Sequence, residues 1–113
     1  MLDERARRIA LNESRFRQIN DDLRADLAKL PHVPEVIPFV CECGEATCTA
    51  ILELTDAQYE SIRADSRRFV VCAGHEQPDV ETVVAHEGGH AVVEKLPDSG
   101  PLVDATDPRG HRR

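Results

Sequence analysis

Cys41-Glu42-Cys43 is followed by Cys48, a C-x-C-x4-C spacing, and Cys72-Ala-Gly-His75 lies further along the chain. Thiolate sulfur and imidazole nitrogen are the donors that zinc takes in a four-coordinate tetrahedron. Three cysteines within eight residues can wrap one ion if the backbone between them turns sharply. Gly44 supplies a residue that tolerates the dihedrals of such a turn. The fourth ligand must come from elsewhere. His75 is the first candidate, because Gly74 before it permits a turn that aims the ring. Cys72 is the second, although it ends an apolar run and also fits a small buried hydrophobe. Cysteine is among the most buried residue types, so four plain reduced thiols are the alternative to a metal site. Clustering of three of them around one glycine favours the metal. The expectation is a structural Zn2+, closed by four ligands and lacking the open position that catalysis needs. Iron accepts the same thiolates, and a redox pair of Cys41 and Cys43 is a further use of these residues.

Residues 86–90, His-Glu-Gly-Gly-His, spell the H-E-x-x-H pattern of zinc metalloproteases. That chemistry needs a helix, on which both histidines face one ion and the glutamate stands beside a bound water. The flanks VETVVA and HAVVEK are valine-rich and favour strands. Each central glycine costs about 1 kcal/mol in a helix relative to alanine. Two apolar runs around Glu-Gly-Gly therefore read as a β-hairpin. In that hairpin His86 and His90 are expected to lie near each other across the strands, which would make a weak surface metal site. A protease would also need a third ligand. Past His90 the chain offers Glu94, His111 and three aspartates. The string AHEGGHAVV resembles the zinc helix of membrane-anchored AAA proteases over that stretch alone, with no ATPase signature.

The elements that must position these groups follow from periodicity. Leu2, Ile9, Phe16, Leu23 and Leu30 recur every seven residues, Ile19 and Leu27 widen the stripe, and charged residues fill the other face. This predicts an amphipathic helix over 1–30, with Asn12-Glu13-Ser14 as its weak point. The stripe serves for packing on the rest of the chain, or as a partner-binding surface at Phe16, Ile19 and Leu23. A homodimer through this helix is compatible with the pattern, although one heptad position is too polar for a strong zipper. Three prolines make 31–38 an extended linker. Residues 39–97 form the zinc-binding α+β domain: a hairpin-like knuckle, a strand over 49–54, and a helix over about 56–65. Thr55-Asp-Ala-Gln58 opens that helix as a capping box, with Ala57, Tyr59, Ile62 and Arg63 spaced to pack. Strands follow over 69–71, 80–85 and 90–95. Residues 98–113, rich in proline and glycine, are expected to be a loose tail. The fold class is α+β: a long N-terminal helix followed by a small antiparallel sheet domain with a zinc knuckle and one short helix.

Composition narrows the function. Hydrophobic residues reach 41% but aromatics only 4%, with no Trp, so Val, Ile, Leu and Ala must build the core. A chain of 113 residues buries a modest share of its surface, and a metal staple would help it. The net charge of −7 argues against a broad basic surface for nucleic acid. It is uneven: residues 1–30 sum to +1, 31–98 to −9 and 99–113 to +1. No apolar run approaches a membrane span, and MLDERARRIA lacks the apolar core of a signal peptide. The expectation is a cytoplasmic protein without membrane partners. Thiols stay reduced there, and cysteines serve metals more than disulfides.

NESRFRQINDDL, FVCECGEATCTAILELTDAQYESIR, FVVCAGHEQPDVETVV, HAVVEK and DPR together resemble a family of small, functionally uncharacterised actinobacterial proteins. The resemblance covers most of the chain. It implies Cys41, Cys43, Cys48 and His75 as the ligand set, and a proline in the family pattern at position 72 counts against Cys72. It also implies a tolerant turn where HEGG stands, and no particular activity. The function expected is a zinc-stabilised, non-catalytic module that binds another macromolecule, a protein, through Phe16, Ile19 and Leu23 or through Arg5, Arg7, Arg8, Arg15 and Arg17. Two other readings stand beside it. One is a nucleic-acid-associated regulator using the basic N-terminal helix; the other is an HExxH-type zinc metalloprotease.

Overall fold

Asp3 starts the first helix. Its carboxylate accepts the Ala6 N–H at 2.7 Å, filling one of the donors a helix start leaves free. In this computed structural model, which describes residues 2–110, α1 runs Glu4–Leu27. Its buried residues are Ala6, Ile9, Ala10, Glu13, Ser14, Arg17, Asn20 and Asp21. The heptad stripe is therefore only partly the inward face. Ile9 is buried, Phe16 and Leu23 are half-buried, and Ile19 is 45% exposed. The second half of the helix turns polar groups inward because charged partners wait for them there.

β1 (Ile37–Val40) and β2 (Ile51–Leu54) form a two-stranded antiparallel ribbon, with Ile37 opposite Leu54 and Val40 opposite Ile51. Side chains alternate across it: Ile37, Phe39, Leu52 and Leu54 are buried, whereas Pro38, Ile51 and Glu53 face out. Pro38 is tolerated because both strands are edges. The strand thus takes over the last residues of the expected linker. α2 (Asp56–Arg63) opens with the full capping box, Thr55 and Gln58 satisfying each other's backbone N–H groups. Its Tyr59 ring stacks on Phe39 with centroids 4.2 Å apart. Such a pair is worth about 0.5–1.5 kcal/mol beyond area burial.

β3 (Arg68–Cys72), β4 (Glu81–Glu87) and β5 (His90–Lys95) make an antiparallel sheet in the order β3-β5-β4. β3 and β5 are buried on both faces. Phe69, Val71, Ala91 and Val93 join a core with Ala10, Cys41, Cys43 and Val103. Val70 and Val92 point the other way, into the cluster of Ile37, Phe39, Leu54, Tyr59 and Ile62. This two-sided burial explains their unbroken valine runs.

The segment expected as a loose tail from residue 98 instead contains α3 (Gly100–Ala105), with Val103 fully buried. It is fastened by charge. Arg63, itself fully buried, pairs with Asp21 of α1 and with Asp107. Arg109 reaches Asp21 at 3.0 Å and Glu60 at 2.8 Å. Composition suggested looseness because these anchors lie far away in sequence. Residues 111–113 of that expected tail lie outside the described residues. No described helix is long and apolar enough to cross a membrane.

Candidate metal centre

The knuckle starts where β1 ends. The Cys41 N–H donates to the Ala50 carbonyl at 3.0 Å, continuing the ribbon, while the Glu42 N–H donates to the Val70 carbonyl at 2.8 Å, passing the chain over to β3. Cys41 and Cys43 then sit 1% and 2% exposed. The Cys48 N–H donates to the Glu45 carbonyl at 3.0 Å, closing the loop that returns Cys48. The fourth residue comes from the loop after β3, where the His75 N–H donates to the Cys72 carbonyl at 2.9 Å. Gly74 within that turn has φ of +91°, the left-handed region that favours glycine.

One donor atom from each of Cys41, Cys43, Cys48 and His75 lies within 4.8 Å of all the others. The Cys41 and Cys48 sulfurs are each 3.6 Å from His75 Nδ1. Zn–S bonds of about 2.3 Å and Zn–N bonds of about 2.0–2.1 Å at tetrahedral angles separate sulfur from nitrogen by roughly 3.5 Å. These separations are compatible with a metal site. The hydrogen bond with Cys41, and then burial, push the Cys43 thiol above its ordinary pKa. A divalent ion would take the place of the shared protons and let the sulfurs ionise together.

Cys72 is not part of this cluster. It lines a groove with Leu52 and His90, and burial raises its thiol pKa while a hydrogen bond with the Cys41 side chain opposes the rise. Its backbone contributes as well, since the Cys72 N–H donates to the Cys41 sulfur at 3.2 Å. Gly44 serves differently from expectation too. Its φ is not positive. A Cβ there would collide with Cγ2 of Ile9, and the Gly44 carbonyl accepts from Asn12 Nδ2 at 3.0 Å. The glycine lets the knuckle lie directly against α1.

Glu42, between two of the cysteines, is fully buried. One carboxylate oxygen accepts from Asn20 Nδ2 at 2.8 Å and from the Tyr59 hydroxyl at 2.9 Å. The other accepts from the Val70 N–H at 3.1 Å. Burial raises the carboxyl's pKa and these three donors oppose the rise. Asn20 also brackets β1, with its Nδ2 on the Val40 carbonyl and its Oδ1 on the Val40 N–H, both at 2.8 Å. Asn20, Glu42 and Tyr59 thus fix the strand that presents Cys41 and Cys43. The sequence pattern marks Tyr59 only as a packing residue of α2 and does not single out Asn20 or Glu42; the one available signal was an acidic residue enclosed by two candidate ligands.

HEGGH lies on the β4–β5 hairpin, with Gly88 at φ +56° in its turn. Glu87 pairs with His90 and His86 pairs with Ala91. Paired residues share a face and successive residues alternate, so His86 and His90 stand on opposite faces. This corrects the expectation that they meet across the strands. No helix presents both imidazoles to one ion.

The remaining expected surface is mixed. Phe16, Ile19 and Leu23 line one side of α1, with Ile19 open and Leu23 packed against the core of Ile37 and Phe39. Arg7, Arg8 and Arg15 are exposed. Arg5 is paired with Asp79. Arg17 is removed from any surface: it is fully buried, donates to the Ser66 and Val103 carbonyls, and stacks 4.4 Å above the Phe69 ring. No protein-family model matches this chain, and no significant match is found among curated proteins or solved structures.

Proposed function

We propose that this chain is a small zinc-stabilised, non-catalytic module that binds another macromolecule, a protein, in the cytoplasm. The supporting observation is the convergence of Cys41, Cys43, Cys48 and His75, with donor atoms all within 4.8 Å of one another. Three thiolates and an imidazole favour zinc, and four protein donors leave it no open position for a reacting water. Structural zinc in small domains contributes about 10–16 kcal/mol of apparent binding energy. That rivals the whole net stability of a domain, about 5–15 kcal/mol. The partner surface is the side of α1 carrying Phe16, Ile19 and Leu23, where an exposed isoleucine sits between two half-buried apolar residues. A homodimer through this helix would use the same surface. Nucleic acid is disfavoured, because Arg17 is buried and the net charge is −7.

Metal content decides the first part of this reading. Elemental analysis of reduced protein should give one zinc per chain, lost in Cys43→Ser and kept in His86→Ala/His90→Ala. A chelator should unfold the protein, as read by circular dichroism. Zinc that survives Cys43→Ser and leaves with the double histidine change would overturn the proposal and require a test for hydrolase activity. Sedimentation of wild type and Ile19→Asp then separates a dimer from a monomer that keeps this face for another protein.

A further inference from the structure

The four candidate ligands differ in how they are protected. Cys41 is buried and its sulfur accepts the Cys72 N–H. Cys43 is buried. Cys48 is half-buried, and its sulfur lies 3.6 Å from His75 Nδ1. An N–H donor draws charge from a thiolate and lowers its nucleophilicity; a thiolate without one keeps it. Reaction with an electrophile follows thiolate character and access.

Access is also one-sided. An open cleft of about 580 Å³ is lined by Cys43, Cys48 and His75 together with Glu45, Glu76 and Gln77. Cys41 is not part of its lining. A small neutral oxidant entering the cleft therefore meets Cys48 first and finds Cys43 beside it.

Building on the zinc reading above, we infer that Cys48 is an oxidant-reactive ligand, and that hydroperoxides convert the Cys43–Cys48 pair to a disulfide and release the metal. The Cys48 thiolate attacks one peroxide oxygen, the O–O bond breaks, and hydroxide (from hydrogen peroxide) or alkoxide leaves, giving the sulfenic acid. The Cys43 thiolate then attacks the Cys48 sulfur, forming the S–S bond and expelling hydroxide. Two sulfurs have been oxidised and one peroxide reduced. Cys41 and His75 remain, two donors where zinc needs four, so the ion leaves. A dithiol reductant reverses the step.

The test uses the full chain, reduced and zinc-loaded. Hydrogen peroxide is titrated in, a chromogenic chelator reads zinc release, and mass spectrometry maps the disulfides. One zinc released per Cys43–Cys48 disulfide, restored by dithiothreitol and unchanged in Cys72→Ala, is the expected result. Limiting iodoacetamide should label Cys48 at least tenfold faster than Cys41 or Cys43. Zinc retained while Cys72 is oxidised, or zinc released with any other disulfide, overturns the inference and leaves the metal centre standing. A reduced protein that takes up no zinc fails at the earlier step and removes both readings.

Discussion

The Tyr59 hydroxyl of α2 donates to the Glu42 carboxylate at 2.9 Å, and Glu42 stands between two of the converging cysteines. A helix that supplies no ligand thereby controls the orientation of two. Glu42→Gln keeps the shape but sets an amide N–H2 against donors from Asn20, Tyr59 or Val70. Leaving such buried donors unmatched costs about 1–3 kcal/mol. The variant should melt lower and lose zinc to a competing chelator faster than wild type, as followed by stopped-flow absorbance. Unchanged zinc loss would show that Glu42 does not position the ligands.

Arg63 holds two carboxylates in the interior, Asp21 and Asp107. Arg63→Met should cost about 3–5 kcal/mol, because breaking a buried pair strands the opposite charge. Denaturant unfolding measures it.

The same cluster sets an acid limit. Burial raises the Asp107 pKa, but the hydrogen bond from Arg63 and the Arg109 N–H outweigh it, and the net shift is downward from 3.8. A depressed folded pKa contributes stability that is present above the unfolded value and is lost as pH falls through the folded one. Wild type should therefore lose its advantage over Asp107→Asn only below about pH 4. An advantage that vanishes already near neutrality would sink this assignment.

Glu13 behaves in the opposite sense. Burial, reinforced by Glu81, raises its pKa well above 4.5, although Lys95 Nζ lies 2.7 Å from Oε1. A raised carboxyl pKa makes the folded state hold a proton that the unfolded chain has released. Its contribution to stability then declines as pH rises from 4.5 toward the folded value. Glu13→Gln, permanently neutral, should flatten that slope. Glu81→Gln should be worse, since it removes the second carboxylate on buried Lys95, 3.1 Å away. Urea titrations at several pH values separate the two variants.

Three glycines should respond differently to alanine. At Gly44 the new Cβ meets Ile9 Cγ2, and overpacking costs about 1–3 kcal/mol; adding Ile9→Ala should recover part of it. Gly88, at φ +56° with open space around it, should cost roughly 1–2 kcal/mol from backbone strain alone. Gly89 has neither a positive φ nor a neighbour within 4 Å, and its change should stay within about 0.5 kcal/mol. Thermal melts order the three.

The pieces legible in the sequence were those whose signals are local. The Thr55–Gln58 capping box, the valine runs around Gly88-Gly89 and the thiol spacing at 41–48 each carry their meaning within about ten residues. The inward face of α1 does not. Glu13, Arg17 and Asp21 read as solvent-facing because their partners are Lys95, the Val103 carbonyl and Arg63, many residues away. The tail was misjudged for the same reason, since Asp107 and Arg109 are held by Arg63 and Glu60. The His86/His90 contact failed on register, where one residue of offset moves a side chain to the other face.

Because α1 turns charge and amide groups inward where an ordinary amphipathic helix turns leucines, it has no independent life. Detaching it would bare Ile9 and Ala10 with the apolar core they cover. It would also take Asn20 from Glu42, Asp21 from Arg63 and Glu13 from Lys95, leaving each buried group short of a partner. The amide protons of its second half should therefore exchange with solvent together with those of β1 and β3, through one shared opening of the whole chain. Fraying from the N-terminus would stop short of Glu13. The helix and the sheets behind it form a single cooperative unit.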